Sequence, residues 1–362
     1  MTGVIRYLLL PWNLAFRPLR PWTGPLHIQL EPTNACNQKC LMCTRDRLIQ
    51  KTEFLKEEGF RKILEEIRPR KMNLSGLGEP FLHPGIFDFI RLAREKGTAV
   101  TLATNFTLLE GKVEELIASG INEVKVSLDS AEPETYKRIR RGAGSREKVI
   151  STLEELKRKK AEKGVSLPVV RINFALQAAN AGQLVPLIRT ARSLGAESIY
   201  VQYLDYVDME DRKPDLVRDL EPGKLRALFL EARRAAEEEG ITHNLDIWLR
   251  DLSLYANKMG PAAAFRVNGR VCYFPWITTF IEAGGDVKPC PIFVWKRGVG
   301  RMGNIYETPF SEIWRGEAYR EVRRDLRKGK KVLPPCRQCI PQTLGNIFAL
   351  YSKLHPGWNK KS

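Results

Sequence analysis

Between residues 26 and 205 short apolar runs alternate with longer amphipathic ones, and this alternation constrains the fold more than any other feature of the chain. Strands are predicted at 26–31 (LHIQLE), 70–75 (RKMNLS), 98–104 (TAVTLAT), 122–128 (NEVKVSL), 168–176 (PVVRINFAL) and 197–203 (ESIYVQY). Between them the 3.6-residue apolar period predicts helices over 57–68, 85–96, 110–119, 145–163 and 181–194. Gly97, Gly120, Gly164 and Gly195 stand where a helix is expected to stop. Strands separated by whole helices pair in parallel through right-handed crossovers, which makes the fold α/β. Six units are fewer than the eight that close a barrel, so a partial (β/α)6 TIM-like barrel is expected.

Polar residues collect at the C-terminal strand ends, the face on which parallel barrels carry their chemistry. The cysteine loop follows the first strand, Gly78 and Glu79 the second, and Thr104 and Asn105 the third. Ser127 and Asp129 lie at the end of the fourth, and Asn173 and Gln177 on or after the fifth.

The seven cysteines form two groups, Cys36, Cys40 and Cys43, then Cys272, Cys290, Cys336 and Cys339. Such clustering without a secretory signal reads as metal or cluster ligation in a reducing compartment rather than a disulfide framework. The first group sits in "EPTNACNQKCLMC" (31–43) and has no adjacent histidine to complete a tetrahedral zinc site. Three thiolates on an iron–sulfur cube leave one iron open, as a catalytic centre requires. Three buried structural cysteines are the alternative, which a polar Asn/Gln/Lys-rich loop does not favour.

C-x3-C-x2-C in the loop after the first strand resembles the hallmark of the radical S-adenosylmethionine (SAM) superfamily. The resemblance implies a [4Fe-4S] cluster on Cys36, Cys40 and Cys43, with SAM on its fourth iron and reductive cleavage to a 5′-deoxyadenosyl radical. "LSGLGEP" (74–80) is similar to the family's GGE-P motif, with Leu77 in place of the first glycine. It implies SAM contacts at Gly76, Leu77, Gly78 and Glu79, where the methionyl amino group would meet side-chain-free backbone. "VSLDS" (126–130) and "IRRG" (139–142) resemble the ribose and carboxylate segments, implicating Ser127, Asp129, Arg140 and Arg141. Asn105 and Asn173 complete the SAM-binding set.

The second group, with "GGDVKPC", "GNIYETPFSEIWRG" and "CRQC", resembles the SPASM/twitch α+β extension. Its four cysteines imply one auxiliary [4Fe-4S] cluster with every iron ligated; a zinc site on the same thiolates is the alternative. A closed cluster is suited to accepting an electron, so the implied enzyme is an oxidoreductase that oxidises its substrate radical. Peptide or lipid modification without net oxidation, and a non-catalytic cluster- or zinc-binding maturation protein, are the other readings.

The implied organisation is an arm (1–24), the barrel (25–230), a helical bridge (231–264), the auxiliary-cluster domain (265–345) and a tail (346–362). A net charge of +17 is either a plain solvated basic surface or suits an acidic flavodoxin- or ferredoxin-type electron donor, an anionic membrane surface or an anionic substrate. Nucleic acid is disfavoured, because the basic residues are dispersed and no recognition motif accompanies them. Residues 1–22 mix arginines with Tyr7, Trp12, Phe16 and Trp22, and are too short and interrupted to span a bilayer. They suit either the membrane interface or packing on the protein's own core. A cytoplasmic protein, peripheral to the inner face of the membrane through this arm, is expected. A small molecule, lipid or peptide is its expected substrate.

Overall fold

The computed structural model describes residues 3–202, 220–250, 272–295 and 298–329, with single positions 204, 216, 252, 333, 335 and 336. All six predicted strands form: β1 (His27–Leu30), β2 (Lys71–Leu74), β3 (Ala99–Thr104), β4 (Glu123–Ser127), β5 (Val169–Ala175) and β6 (Ser198–Gln202). The chain adds β7 (Thr242–His243), β8 (Thr278–Ile281), β9 (Asp286–Lys288) and β10 (Gly303–Asn304). They build one sheet in the order β10-β9-β8-β1-β2-β3-β4-β5-β6-β7. Pairing is parallel from β8 through β1 to β7, while β9 and β10 are antiparallel. The barrel is partial, as expected.

Alternation along the strands sorts residues to the two sheet faces. Ile28, Leu30, Met72, Leu74, Val100, Leu102, Val124, Val126, Ile172, Phe174, Ile199 and Val201 belong to the main apolar core. The helix Glu57–Glu66 turns Phe60, Ile63 and Leu64 into this core, and Ile86–Glu95 adds Ile86, Phe87, Phe89, Ile90 and Ala93. Phe60 and Phe89 stack with ring centroids 4.1 Å apart. Gly97, Gly120, Gly164 and Gly195 follow helices with positive φ, the conformation expected of them. The opposite, inner face is polar: Gln29, Lys71, Asn73, Thr101, Glu123, Lys125, Ser127, Arg171, Asn173, Ser198 and Tyr200 alternate with the core residues.

Two features depart from the six-unit expectation. The helix Pro222–Glu238 buries Leu225, Phe229, Ala232, Ala235 and Ala236 and leads to β7, which pairs with β6. The expected barrel boundary at 230 therefore falls inside this helix. At the other edge, β8 pairs in parallel with β1 from His27↔Thr278 to Leu30↔Ile281, covering backbone groups that an edge strand would expose.

The arm begins as a helix, Gly3–Phe16, with Pro11 inside it. Its end is tied to the C-terminal region: Asn13 Nδ2 donates to Thr23 Oγ1 (2.7 Å), Trp276 Nε1 to Pro18 O (2.8 Å) and Trp314 Nε1 to Thr23 O (2.9 Å). The fully buried Arg323 donates to Leu19 O, Pro275 O and Trp314 O, with its guanidinium over the rings of Trp314 and Tyr319. No helix among the described residues is long and apolar enough to cross a membrane.

Candidate radical SAM active site

The cysteine loop leaves β1 through Glu31 and is closed by the residues around it. Asn34 accepts the Glu53 N–H (2.8 Å) and donates to Lys51 O (3.1 Å), while Thr33 Oγ1 donates to Glu53 O (2.7 Å). Backbone N–H groups of Gln38 and Arg45 point at the sulfurs of Cys36 and Cys43, each at 3.4 Å. Such N–H···S contacts tune thiolate ligands.

Burial pushes the Cys36 thiol up to about 12 and raises Cys40 and Cys43 as well, so these thiols do not ionise readily without a metal. Among the described residues, no three Cys, His, Asp or Glu side chains are placed to hold a single metal ion. A loop of three thiols with inward N–H donors fits a polynuclear iron–sulfur cluster, in which each ligated iron takes its own sulfur.

Glycines let neighbouring segments pack closely on the loop. A Cβ on Gly78 would lie 2.2 Å from Thr33 O and 2.5 Å from Ala35 O. Gly142, at φ +111°, would meet Asn37 O at 2.8 Å. The "GLGEP" segment is thus bare where it packs on the cysteine loop's backbone. Leu77, which departs from the family motif, is buried with Phe280 and Val294 of the C-terminal region. Gly76 leaves space for the Glu31 side chain, which a Cβ there would meet at 2.3 Å.

Glu79 is buried and occupied by its own protein. Its carboxylate accepts from Thr104 Oγ1 and Asn105 N, both at 2.7 Å, and from Phe81 N at 3.1 Å. Burial raises its pKa to about 7 against these hydrogen bonds. Asn105 Nδ2 donates to Asn37 Oδ1 (2.7 Å), which joins the end of β3 to the cysteine loop. Glu79 and Asn105 therefore position the loop.

Asp129 and Arg140, inferred separately as SAM contacts, meet each other. Arg140 Nε lies 2.5 Å from Asp129 Oδ2, and its Nη1 lies 3.7 Å from Cys40 Sγ. Asp129 Oδ1 accepts the Ala175 N–H (2.7 Å), so the pair is anchored to the end of β5. Burial works against the Arg140 charge, but Asp129 and Cys40 outweigh it and its pKa is raised. Arg141 stands apart: its side chain is exposed and donates to Arg138 O, while its carbonyl accepts from Lys39 N. Ser127 and Asn173 are neighbours in register across β4 and β5. Asn173 accepts from Arg171 Nε at 3.2 Å.

Glu31 was not among the expected site residues, although it opens the cysteine motif. It is fully buried; Oε1 accepts the Leu77 N–H (2.8 Å) and Oε2 the Ala283 N–H (3.2 Å). One carboxylate thus ties β1, the glycine segment and the β8–β9 hairpin together. The only sequence signal for this role was an acidic residue at an otherwise apolar strand end.

In the second cysteine group, Cys290 is buried just after β9, and Cys272 and Cys336 are partly buried. Burial lifts the Cys272 thiol to about 12, with a smaller contribution from Cys336 nearby. Cys339, the "CRQC" linker and the tail 346–362 lie outside the described residues.

The radical SAM superfamily description matches residues 30–177, and the SPASM iron–sulfur cluster-binding domain matches residues 272–340, a span containing all four later cysteines. The chain carries a radical SAM domain and, C-terminal to it, a SPASM domain. These domains imply a SAM-binding [4Fe-4S] cluster, SAM and an auxiliary iron–sulfur cluster. Among relatives, it is 27% identical over 329 residues to the AdoMet-dependent heme synthase of Methanosarcina barkeri, covering 87% of this chain and 88% of that one. It is 24% identical to the subtilosin biosynthesis protein AlbA of Bacillus subtilis, covering 82% of this chain and 63% of AlbA. Streptococcus suis SuiB, solved with the precursor peptide SuiA, shares the fold with a TM-score of 0.63 at 15% identity, covering 92% of this chain and 74% of SuiB.

Proposed function

We propose that this protein is a radical SAM oxidoreductase that removes a hydrogen atom from an organic substrate held against the inner face of the barrel. The observation that carries this reading is the cysteine loop at the end of β1, backed by the Asp129–Arg140 pair and by the close packing of Gly78 on the loop's backbone. When bound, the reduced cluster on Cys36, Cys40 and Cys43 supplies the electron that splits SAM into methionine and a 5′-deoxyadenosyl radical.

The chain's own residues hold and shield this chemistry. Gly78 lets the glycine segment pack on the loop's backbone, Gly76 makes room for Glu31, Ser127 and Asn173 offer polar atoms in register on neighbouring strands, and Arg140 fixes the surroundings of Cys40. Cys272, Cys290, Cys336 and Cys339 would hold the auxiliary cluster, which would supply an electron acceptor for oxidation of the substrate. An acidic flavodoxin- or ferredoxin-type donor fits the +17 net charge.

The relatives' names suggest two substrate classes, a heme-type compound and a peptide, with the peptide reading supported by AlbA and by the peptide bound to SuiB. Peripheral contact with an anionic membrane is part of the same reading. Of the six exposed large hydrophobic residues among those described, Leu8, Trp12, Phe16 and Trp22 all lie in the arm. Their aromatic side chains and the nearby arginines suit a lipid interface.

Anaerobic reconstitution tests the cofactor assignment. About eight irons per chain, from two four-iron clusters, are expected. About four irons with zinc on the second cysteine group would remove the electron-accepting role.

A further inference from the structure

The stretch "KRIRR" (137–141) puts four cations in five residues, and the fold sorts them to two sides. The helix Pro133–Ile139 buries Tyr136 and Ile139, and Arg140 turns inward to Asp129 and Cys40. Lys137, Arg138 and Arg141 stay exposed. The same segment is strapped to the cysteine loop by its backbone. Lys39 N donates to Arg141 O (2.5 Å), Leu41 N to Ile139 O (2.9 Å) and Ala143 N to Asn37 O (3.0 Å). Gln38 and Gly142 form an antiparallel bridge between the two. Lys39, exposed and directly before Cys40, is therefore the backbone neighbour of Arg141.

Lys39, Lys137, Arg138 and Arg141 thus gather beside Cys40, and none of the four is in an ion pair among the described residues. Arg138 Nη2 donates to Ala179 O (3.0 Å) and Arg141 Nε to Arg138 O (3.3 Å), so both guanidiniums meet neutral carbonyls. Other exposed arginines, such as Arg61, Arg158 and Arg301, meet carboxylates. The dipole of the helix favours Lys137 and Arg138 in its last turn, but Lys39 and Arg141 lie outside it. Its exposed carboxylates, Glu132 and Glu134, stand at the opposite end. None of the exposed large hydrophobic residues falls within 36–43 or 132–146. A bilayer is held by inserted apolar side chains as well as by charge. A short-lived redox partner needs only a small surface of complementary charge.

We infer that Lys39, Lys137, Arg138 and Arg141 form the docking surface for a small acidic electron-carrier protein of the flavodoxin type, which delivers its electron at the cysteine loop. The inference rests on the radical SAM reading for the use of that electron, while the surface stands on its own geometry. The carrier's anionic flavin hydroquinone gives up one electron and becomes the neutral semiquinone, so no proton crosses the interface. The oxidised cluster on the loop takes up that electron. Unpaired cations at the point of delivery steer an acidic partner to it and raise the encounter rate.

The test uses the reconstituted full-length protein and a purified flavodoxin of net negative charge. Binding of the oxidised flavodoxin is measured by calorimetry for the wild type and for Lys39→Glu, Lys137→Glu and Arg138→Glu combined. The control combines Lys224→Glu, Arg226→Glu and Arg234→Glu, three exposed positions of the helix Pro222–Glu238, and changes the net charge equally. The first variant should bind about tenfold more weakly, and the control within about twofold of the wild type. Wild-type affinity should fall as salt rises from about 0.01 M to about 0.15 M, where the screening length drops from about 30 Å to about 8 Å. Formation of 5′-deoxyadenosine with limiting reduced flavodoxin should fall with the affinity, and with excess dithionite it should not. If the charge-reversed variant fails to fold, the glutamine versions of the same three substitutions carry the decision.

Absence of flavodoxin binding, equal affinity in the wild type and the folded patch variant, or equal weakening in the control overturns the inference. So does a patch variant that keeps flavodoxin but loses flotation with anionic vesicles, which would assign the cations to lipid. Formation of 5′-deoxyadenosine from the wild type with dithionite reports on the enzyme reading separately. SAM cleavage without patch-dependent flavodoxin binding overturns this inference alone. Patch-dependent binding without SAM cleavage supports the docking surface and contradicts the enzyme reading alone.

Discussion

Asp129 grips Arg140 through a 2.5 Å contact between Oδ2 and Nε, and this pair couples the end of β4 to the cysteine loop. Asp129 is fully buried and Arg140 nearly so; the other end of the guanidinium faces Cys40 Sγ at 3.7 Å. The charge of Arg140 therefore serves the thiolate that a cluster requires, and Asp129 keeps that charge in place.

Asp129→Asn leaves the guanidinium without its carboxylate. Breaking a buried pair from one side costs about 3–5 kcal/mol, read as a lower denaturation midpoint. Altered electron paramagnetic resonance of the reduced first cluster is expected alongside it.

Gly78→Ala drives a Cβ to within 2.2 Å of Thr33 O and pushes the cysteine loop out of place. The expected stability loss is about 1–3 kcal/mol, with iron bound at the first site reduced in the folded protein. Gly182→Ala, which meets nothing within 4 Å, is the control and should bind iron like the wild type.

Much of this geometry was legible in the chain. The six strands and the glycine-terminated helices follow from apolar period and stop signals, and the cysteine spacing pointed to the first site. The pairing of β8 with β1 was not legible, because it joins segments some 250 residues apart through backbone hydrogen bonds that leave no local pattern. The roles of Glu31 and Glu79 were hidden for a related reason. Both carboxylates are turned toward backbone and hydroxyl donors of other elements, contacts that leave no local signal in the sequence. Leu77 stands where the family motif has its first glycine, and its side chain is buried against Phe280 of the C-terminal region.

Glu79 gives the cluster-free protein a pH signature. Burial raises its folded-state pKa from 4.5 to about 7, so between these values the folded state holds more protons than the unfolded state. Its contribution to stability therefore falls as pH rises from about 4.5 to about 7 and stays low above that. Glu79→Gln should flatten this part of the stability profile in chemical denaturation across pH 4.5–8. An identical slope in the variant would assign the pH dependence elsewhere.

The arm makes a separate prediction. Flotation with vesicles containing anionic lipid should recover the full-length protein, and Trp12→Ala combined with Phe16→Ala should reduce recovery several-fold, since both side chains are exposed on one face of the helix. Equal recovery would leave these aromatics without a membrane role.

The central claim is that Cys36, Cys40 and Cys43 hold the cluster that cleaves SAM. Its most direct test is anaerobic: the reconstituted protein is given dithionite and SAM, and 5′-deoxyadenosine is quantified in the wild type and in Cys40→Ala. The account predicts 5′-deoxyadenosine from the wild type and its loss, with loss of the first cluster's signal, in Cys40→Ala. Wild-type levels of 5′-deoxyadenosine from Cys40→Ala would contradict it.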